Sequence, residues 1–578
     1  MTFLKPVLLV LMLAAGVPAA PASPYPLGDT LTVIMRPILT VPTILAAGED
    51  LEVLARAPRK SGAWKAHLLR GKRVFPIDVN SAVYDEAADL WRLLFAVPQE
   101  MPEQLYDLAL SGFAFDPDTA RHAVQVLTEY REDYYFVQVT DTHLPGHTFY
   151  PGGGWRTDTT EVADFRAVIE DINLIRPEFV LITGDYINEG ELEDLEEHRV
   201  YSRGKRMLLE LDVPVYLVAG NHDVGGWVDT PGPDGSARRN WWRFFGWPFL
   251  DGGAAGARTQ DFTFDYGPVR YIGLEAYLNY DHWRPEVYRG RSFLPSQLDF
   301  LERALGSAPE GSSKVVFYHY DFSNQIRNPA AMGIDMILYG HIHSDGGSIT
   351  DRPAVLALKS CCDGNRRYRV ISVRDGRLGA RNSVAAGGAG EQLTMAYHEA
   401  NDGSRRTNGA TITNLQPQPF EFAEVDFVMP EDVAAFEVTG GRLARVVDAD
   451  TAQIVTVTVS VGADERADVF LAPGVVYSGD PPPPPEAFRL LGSAPNPFNG
   501  VTNIRLHIPD PGGLVEIRLF DWKGRYLFPL ARGPFSSGEH AVPWDGTALS
   551  GERLPSGVYF YRAIFEGETK TGRLVLLR

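Results

Sequence analysis

Five short blocks hold the residues best suited to chemistry: Asp141-Thr142-His143, Gly184-Asp185, Gly220-Asn221-His222-Asp223, His319 and Gly340-His341-Ile342-His343. Each follows an apolar run with strand character. Carboxylates and imidazoles at the ends of neighbouring strands can converge on one point, which the same residues spread over helix faces could not do. Asp141 and His143 are two residues apart, as are His341 and His343, and in extended backbone such pairs point the same way. A mixed oxygen and nitrogen donor set suits manganese, iron or zinc better than calcium or magnesium alone. A lone Gly-Asn-His is usually only a turn, so the specificity lies in the ordered set, spread over about 200 residues.

The elements that must position these blocks follow from hydrophobic pattern. Tyr134 to Thr140 is a nearly unbroken apolar run, as expected of a strand buried on both faces. Asp158 and Glu161 form a capping box ahead of a helix whose Val162, Phe165, Val168, Ile169 and Ile172 share one face. A strand over Phe179 to Thr183, a helix over about Glu193 to Leu211 and a strand over Val213 to Ala219 complete a β-α-β-α-β order with parallel strands. Further on, Phe262 to Leu274 reads as a hairpin, Leu294 to Leu305 as a helix, and Val315 to Tyr318 and Met336 to Tyr339 as strands. The loops Pro151 to Trp155 and Gly225 to Trp247 are candidates to lie over the site. Tyr150, Trp155, Tyr186, Trp227 and Tyr320 could stack on a base or ring, although packing of loops is the plainer role for each; His147 reads as a loop histidine.

At 578 residues the chain exceeds a single core. Its net charge of −20 argues against binding a nucleic-acid polymer, which depends on Lys and Arg displacing counterions. A small anionic substrate would need local positive charge, which bound cations can supply. Lys5, the apolar run Pro6 to Val17 and Ala20-Pro21-Ala22 read as a signal peptide over 1–22, too short to span a bilayer, so a secreted or periplasmic protein with no transmembrane span is expected. The two cysteines, Cys361 and Cys362, are adjacent and read as small buried side chains rather than a disulfide. Residues 30–132 and 487–578 alternate as β-sandwiches do, 386–480 forms a further β-rich module, and Pro481 to Pro485 begins a stiff linker over 481–486. The fold class expected is multidomain: a central α/β domain over 133–381, with mixed sheets flanked by helices, between β-sandwich modules.

The five blocks resemble the DxH, GDxx, GNH[D/E], H and GHxH pattern of the calcineurin-like metallophosphoesterase superfamily, all present and in order. The resemblance implies two metal ions, Mn, Fe or Zn. Asp141, His143 and His343 would hold the first, Asn221, His319 and His341 the second, and Asp185 would bridge them. It implies that such a pair clamps a phosphoryl group and activates a shared water, so that no side-chain nucleophile is required. It further implies that Asn221 and His222 contact the substrate, that His222 stabilises the transition state or protonates the leaving alkoxide, and that Asp223 orients His222. Asn188, three residues after Asp185, stands where calcineurin-type phosphatases have an acidic residue and purple acid phosphatases a tyrosine. The Asp-Thr-His opening and this Asn are closer to the broad bacterial branch that includes cyclic-nucleotide phosphodiesterase-like proteins.

Beyond the linker, Asn496-Pro497-Phe498-Asn499, Asp521-Trp522-Lys523-Gly524-Arg525, Trp544-Asp545-Gly546, Ser556-Gly557-Val558-Tyr559 and the final Leu574 to Arg578 resemble type IX secretion sorting modules and related flagellar hook-capping-like β-sandwiches. That resemblance implies export machinery as a partner and a cell-surface destination. The function expected is hydrolysis of a small phosphodiester or phosphomonoester outside the cytoplasm. The alternative is a non-catalytic metal-binding surface or adhesion protein on the same fold.

Overall fold

The computed structural model describes residues 32–577 apart from 145–146, 151–153, 158–159, 189–198, 225–235, 247–258, 276–292, 294, 322, 324–325, 327, 389–390, 449–451, 475–487, 510–511, 522, 524, 549–552 and 566–567. The leader-like residues 1–22, the proline run, Asp158 and Trp227 lie outside these, as do the side chains of His147, Tyr150 and Trp155.

Two sheets stack at the centre of the chain. The first runs in the order Val215–Leu217, Val180–Ile182, Tyr134–Val139, Arg367–Arg374, Arg377–Ala380, and its first three strands are parallel. The second runs Phe262–Tyr266, Val269–Gly273, Ser313–Phe317, Met336–Tyr339, Ala354–Ala357, an antiparallel hairpin followed by parallel pairings. Strand Tyr134–Val139 is buried throughout, because each face meets a different apolar layer. Its Tyr134 and Phe136 face the second sheet, where the Phe136 ring meets Tyr271 edge-on at 5.3 Å. Tyr135, Val137 and Val139 face the opposite way, into a core shared with Phe165, Val168 and Ile172 of helix Thr160–Ile175. Alternation with both sets apolar is what a strand between two layers requires.

The expected elements are present with shifted ends. The helix anticipated from Glu193 is described over Val200–Leu208, where Arg199 at its start has a left-handed backbone with φ 50°. The later helix is Pro295–Gly306, and the strand read over Val213 to Ala219 is Val215–Leu217.

Around this domain the chain is mostly strand. Residues 34–127 form an eight-stranded path in which Arg73–Asp85 pairs first with Gly62–Arg70 and then with Leu90–Ala96, around a core that includes Leu51, Val53, Leu68, Leu93 and Phe95. Residues 393–473 form a four-stranded and a three-stranded sheet, whose core runs on into that under helix Thr160–Ile175. Tyr135 meets Phe420 there, ring centroids 5.6 Å apart. Residues 489–576 form a further three-stranded and four-stranded sheet around a separate core with Ile504, Ile517, Trp544 and Tyr561. In that last module the Asn496 carboxamide ties the first loop to the final strand, accepting from Val575 N at 2.8 Å.

A cavity of about 460 Å³ opens where the first, central and 393–473 modules meet. Arg70, Arg131, Arg176 and Arg445 line it and pair with Asp212, Glu178 and Glu424, so it is a polar seam between modules, away from the residues with chemistry. No helix among the described residues is long and apolar enough to cross a membrane.

Candidate metal centre

The carboxyl ends of five parallel-paired strands deliver the five blocks to one place. Strands ending at Val139, Ile182, Leu217, Phe317 and Tyr339 lead to Asp141, Asp185, Asn221, His319 and His341 within four residues. Parallel strands put all these exits on one side, which is where open α/β sheets carry their sites. Turning sharply there costs backbone strain. Asp141, His143, Asp185, His341 and His343 all have φ between 48° and 69°, a region that costs a non-glycine residue of order 1 kcal/mol and persists where surroundings enforce it. Gly220 needs its missing side chain, since a Cβ there would sit 2.3 Å from Asp185 Oδ1 and 2.4 Å from Asp185 N.

All seven expected ligands come together, in two groups. In the first, Asp141 Oδ1 stands 3.3 Å from His343 Nε2 and 3.8 Å from His143 Nε2, and the two Nε2 atoms are 3.2 Å apart. In the second, Asn221 Oδ1 stands 3.2 Å from His319 Nε2 and 3.0 Å from His341 Nδ1, and those ring nitrogens are 3.2 Å apart. Asp185 Oδ2 lies between the groups, 3.0 Å from His319 Nε2 and 3.9 Å from His143 Nε2.

Such crowding of acceptor-type atoms fits cations. Asp141 is fully buried, and its Oδ1 has no hydrogen-bond partner although it faces two imidazoles. A buried carboxylate oxygen left unpaired is costly, and a cation among these donors removes the cost. The other Asp141 oxygen is held, accepting from Thr140 Oγ1 at 2.9 Å and from His341 N at 2.9 Å.

The protonation pattern has the same origin. Burial alone would raise Asp141, but the facing His143 and His343 imidazoles hold it well below the usual carboxylate range. Burial opposes Asp185 in the same way, and the charges of His319 and His222 outweigh it, so Asp185 is lowered too. His143 and His319 are held up at about 9 against burial, the first by Asp141 and Asp185, the second by Asp185. Burial takes His222 and His341 down to about 4.

His222 sits beside the groups, its ring 4.7 Å from that of His143 and nearly perpendicular to it. Its backbone N–H donates to Asp185 Oδ1 at 2.8 Å, and its Nδ1 faces the Asn188 carbonyl at 2.5 Å. The expectation that Asp223 orients His222 is corrected here. The Asp223 carboxylate instead accepts three backbone amides, from Gly220 at 2.8 Å, Ile187 at 2.7 Å and Tyr186 at 3.2 Å, and so braces the turns that carry Asp185 and Asn221. Burial and the Asp185 charge push Asp223 up to about 7.

Asn188 has a larger part than its position suggested, because its Oδ1 also faces His143 Nδ1 at 3.2 Å. Thr183, not singled out in the sequence, offers its carbonyl to His319 Nδ1 at 2.8 Å. Outer contacts of this kind fix ring orientation, and backbone carbonyls leave no side-chain signal by which to find them. Among the aromatics, Tyr320 lies at the site, its ring 4.4 Å from that of His341. Tyr186 does not stack there; it is fully buried against Phe165 and Phe245, and its hydroxyl donates to Gly204 O at 2.6 Å.

Residues 134–345 match the family model described as calcineurin-like phosphoesterase. Over these residues the central domain is similar to the calcineurin-like phosphoesterases. Its class is that of metal-dependent hydrolases of phosphoric esters. No curated protein sequence matches the chain. Similar solved structures include a purple acid phosphatase from yellow lupin seeds, at 10% identity over 67% of this chain and 72% of that one, TM-score 0.34. A dimetal phosphatase from Danio rerio matches at 14% identity over 43% of this chain and 98% of its own, TM-score 0.31. An archaeal phosphodiesterase matches at 13% identity over 43% and 98%, TM-score 0.21. At such low identities and TM-scores these likenesses carry no weight for the phosphoesterase domain's substrate.

Proposed function

We propose that the chain is an exported phosphoesterase that hydrolyses a small phosphodiester or phosphomonoester at a dinuclear centre. Asp141, His143 and His343 would hold one ion, Asn221, His319 and His341 the other, and Asp185 would serve both. The observation that carries this is the Asp185 carboxylate standing between two groups of converging donors. Two bound cations, Mn, Fe or Zn, supply charge neutralisation for the phosphoryl group and an activated water.

The protein's own residues then position and protonate. Asn221 fixes the side of the site on which the phosphoryl oxygen rests, through a side chain already aimed at His319 and His341. His222 has Nδ1 on a carbonyl, which can only accept, so Nδ1 carries the hydrogen and Nε2 holds a lone pair that must first take a proton from water before it can give one to the departing alkoxide. Asn188 holds both His222 and His143 and so sets the distance between metal ligand and acid.

The flanking modules are read as β-sandwiches, and the last as a sorting device that hands the chain to a secretion machinery and leaves it at the cell surface. The leader-like start and the ordered Asn496 to Leu577 motifs support that reading.

The test is hydrolysis of bis-p-nitrophenyl phosphate and p-nitrophenyl phosphate by metal-reconstituted full chain beside Asp185→Ala. Turnover of either, lost in the variant, supports the proposal, and the ratio of rates assigns diesterase or monoesterase. Two bound ions without turnover of any phosphate ester would leave the binding-protein reading in its place.

A further inference from the structure

Cys361 and Cys362 are adjacent, free and buried, yet their surroundings differ. Cys361 belongs to the apolar core beneath the first sheet. Cys362 lies with the first donor group: its Sγ and ring nitrogens of His143 and His343 are all within 4.8 Å of one another. Two backbone bonds fix this placement, Cys361 N donating to Thr140 O at 3.0 Å and Cys362 N to Asp141 O at 3.1 Å. The segment after strand Ala354–Ala357 is thereby laced along the exit of strand Tyr134–Val139, the exit that carries Asp141 and His143.

We infer that Cys362 is a thiolate ligand of the first metal ion, beside Asp141, His143 and His343, which makes this position one for a soft-tolerant metal, zinc or iron. The inference rests on the dinuclear reading above and narrows it. Two donors on one cation stand at most about twice a bond length apart, roughly 4 to 4.6 Å for nitrogen and sulfur on zinc, and Cys362 Sγ and the two imidazole nitrogens all lie within 4.8 Å of one another. An independent pointer is the fully buried, unpartnered Asp141 Oδ1, which faces His343 Nε2 at 3.3 Å. A carboxylate also attends the thiol: Cys362 Sγ donates to Asp363 Oδ2 at 3.3 Å, and that oxygen is 3.9 Å from His343 Nδ1. Asp363 thus touches two members of the group and can hold both in place. On coordination the S–H proton leaves to solvent, the sulfur lone pair is shared with the cation, and no electron is transferred. Thiolate prefers zinc and iron to magnesium, calcium or manganese.

The test uses the full chain loaded with cobalt or zinc, with metal content measured alongside. Cobalt-loaded wild type should show an intense near-ultraviolet thiolate-to-cobalt band that persists in Cys361→Ser and disappears in Cys362→Ser. X-ray absorption of zinc-loaded wild type should show a sulfur shell at about 2.3 Å, with one sulfur shared over two zinc ions. That second measurement needs no variant, so a Cys362→Ser protein that misfolds does not protect the inference. Two bound ions with no band and no sulfur shell would overturn the cysteine assignment alone. Wild type that binds no metal would overturn the dinuclear centre and the cysteine with it.

Discussion

His222 and Asp185 touch, but they carry different burdens. Asp185 joins the two donor groups, so Asp185→Ala should lose metal as well as turnover, read by elemental analysis of dialysed protein. His222→Ala should keep its metal and lose about 10²- to 10³-fold in kcat with KM little changed, because it acts on the leaving group. Equal losses of metal in both variants would show His222 to be a ligand. Gly220→Ala offers a third contrast: its new Cβ would strike Asp185 Oδ1, so the protein should stay folded by circular dichroism and bind metal weakly, as Asp185→Ala does. Much at this scale was legible in the sequence. That Asp141, His143, Asp185, Asn221, His319, His341 and His343 come together could be anticipated, because residue type and strand-end position are both written there. The roles of Asp223 and Tyr186 were not legible, since one depends on backbone amides and the other on which face of a turn is buried.

At the scale of elements, apolar alternation foretold the strands and the face of helix Thr160–Ile175 that meets them. It did not foretell that Asp164 and Asp171 on that helix would also be buried, because their cover comes from residues 364–368 and 416, far along the chain. Asp171 accepts from the Tyr368 hydroxyl at 2.9 Å, and burial pushes its carboxyl up to about 8. In the unfolded chain it titrates near 3.9. Between those values the folded protein keeps a proton that the unfolded chain has released, so this residue makes stability fall as pH rises from about 4 to 8. Asp171→Asn should abolish that slope. The variant should match wild type below about pH 4 and exceed it by roughly 2 to 5 kcal/mol above pH 8, measured by urea unfolding across pH. Identical pH slopes in the two proteins would refute the assignment.

Across the whole molecule, the modules differ in how far they depend on one another. The core under helix Thr160–Ile175 continues into residues 393–471 without a break, whereas residues 488–576 enclose their own. A chain ending at residue 474 should therefore retain its thermal midpoint and a kcat/KM within about twofold of the full chain, while one ending at 386 should be insoluble. Loss of activity in the longer truncation would place the last module in the working enzyme. Composition pointed to several modules; the fusion of two cores was not readable, because sequence pattern reports that a face is apolar and not what covers it.

In the first donor group His343 stands 200 residues after His143 and follows Asp141 at a still greater distance along the chain. No stretch of chain shorter than that can assemble the first metal position, and both sheets must be docked before it exists. An ion held there would be captured only once folding has brought residues 141 and 343 together, so expression in compartments with different metal supply should yield the same fold with different metal content, read by elemental analysis.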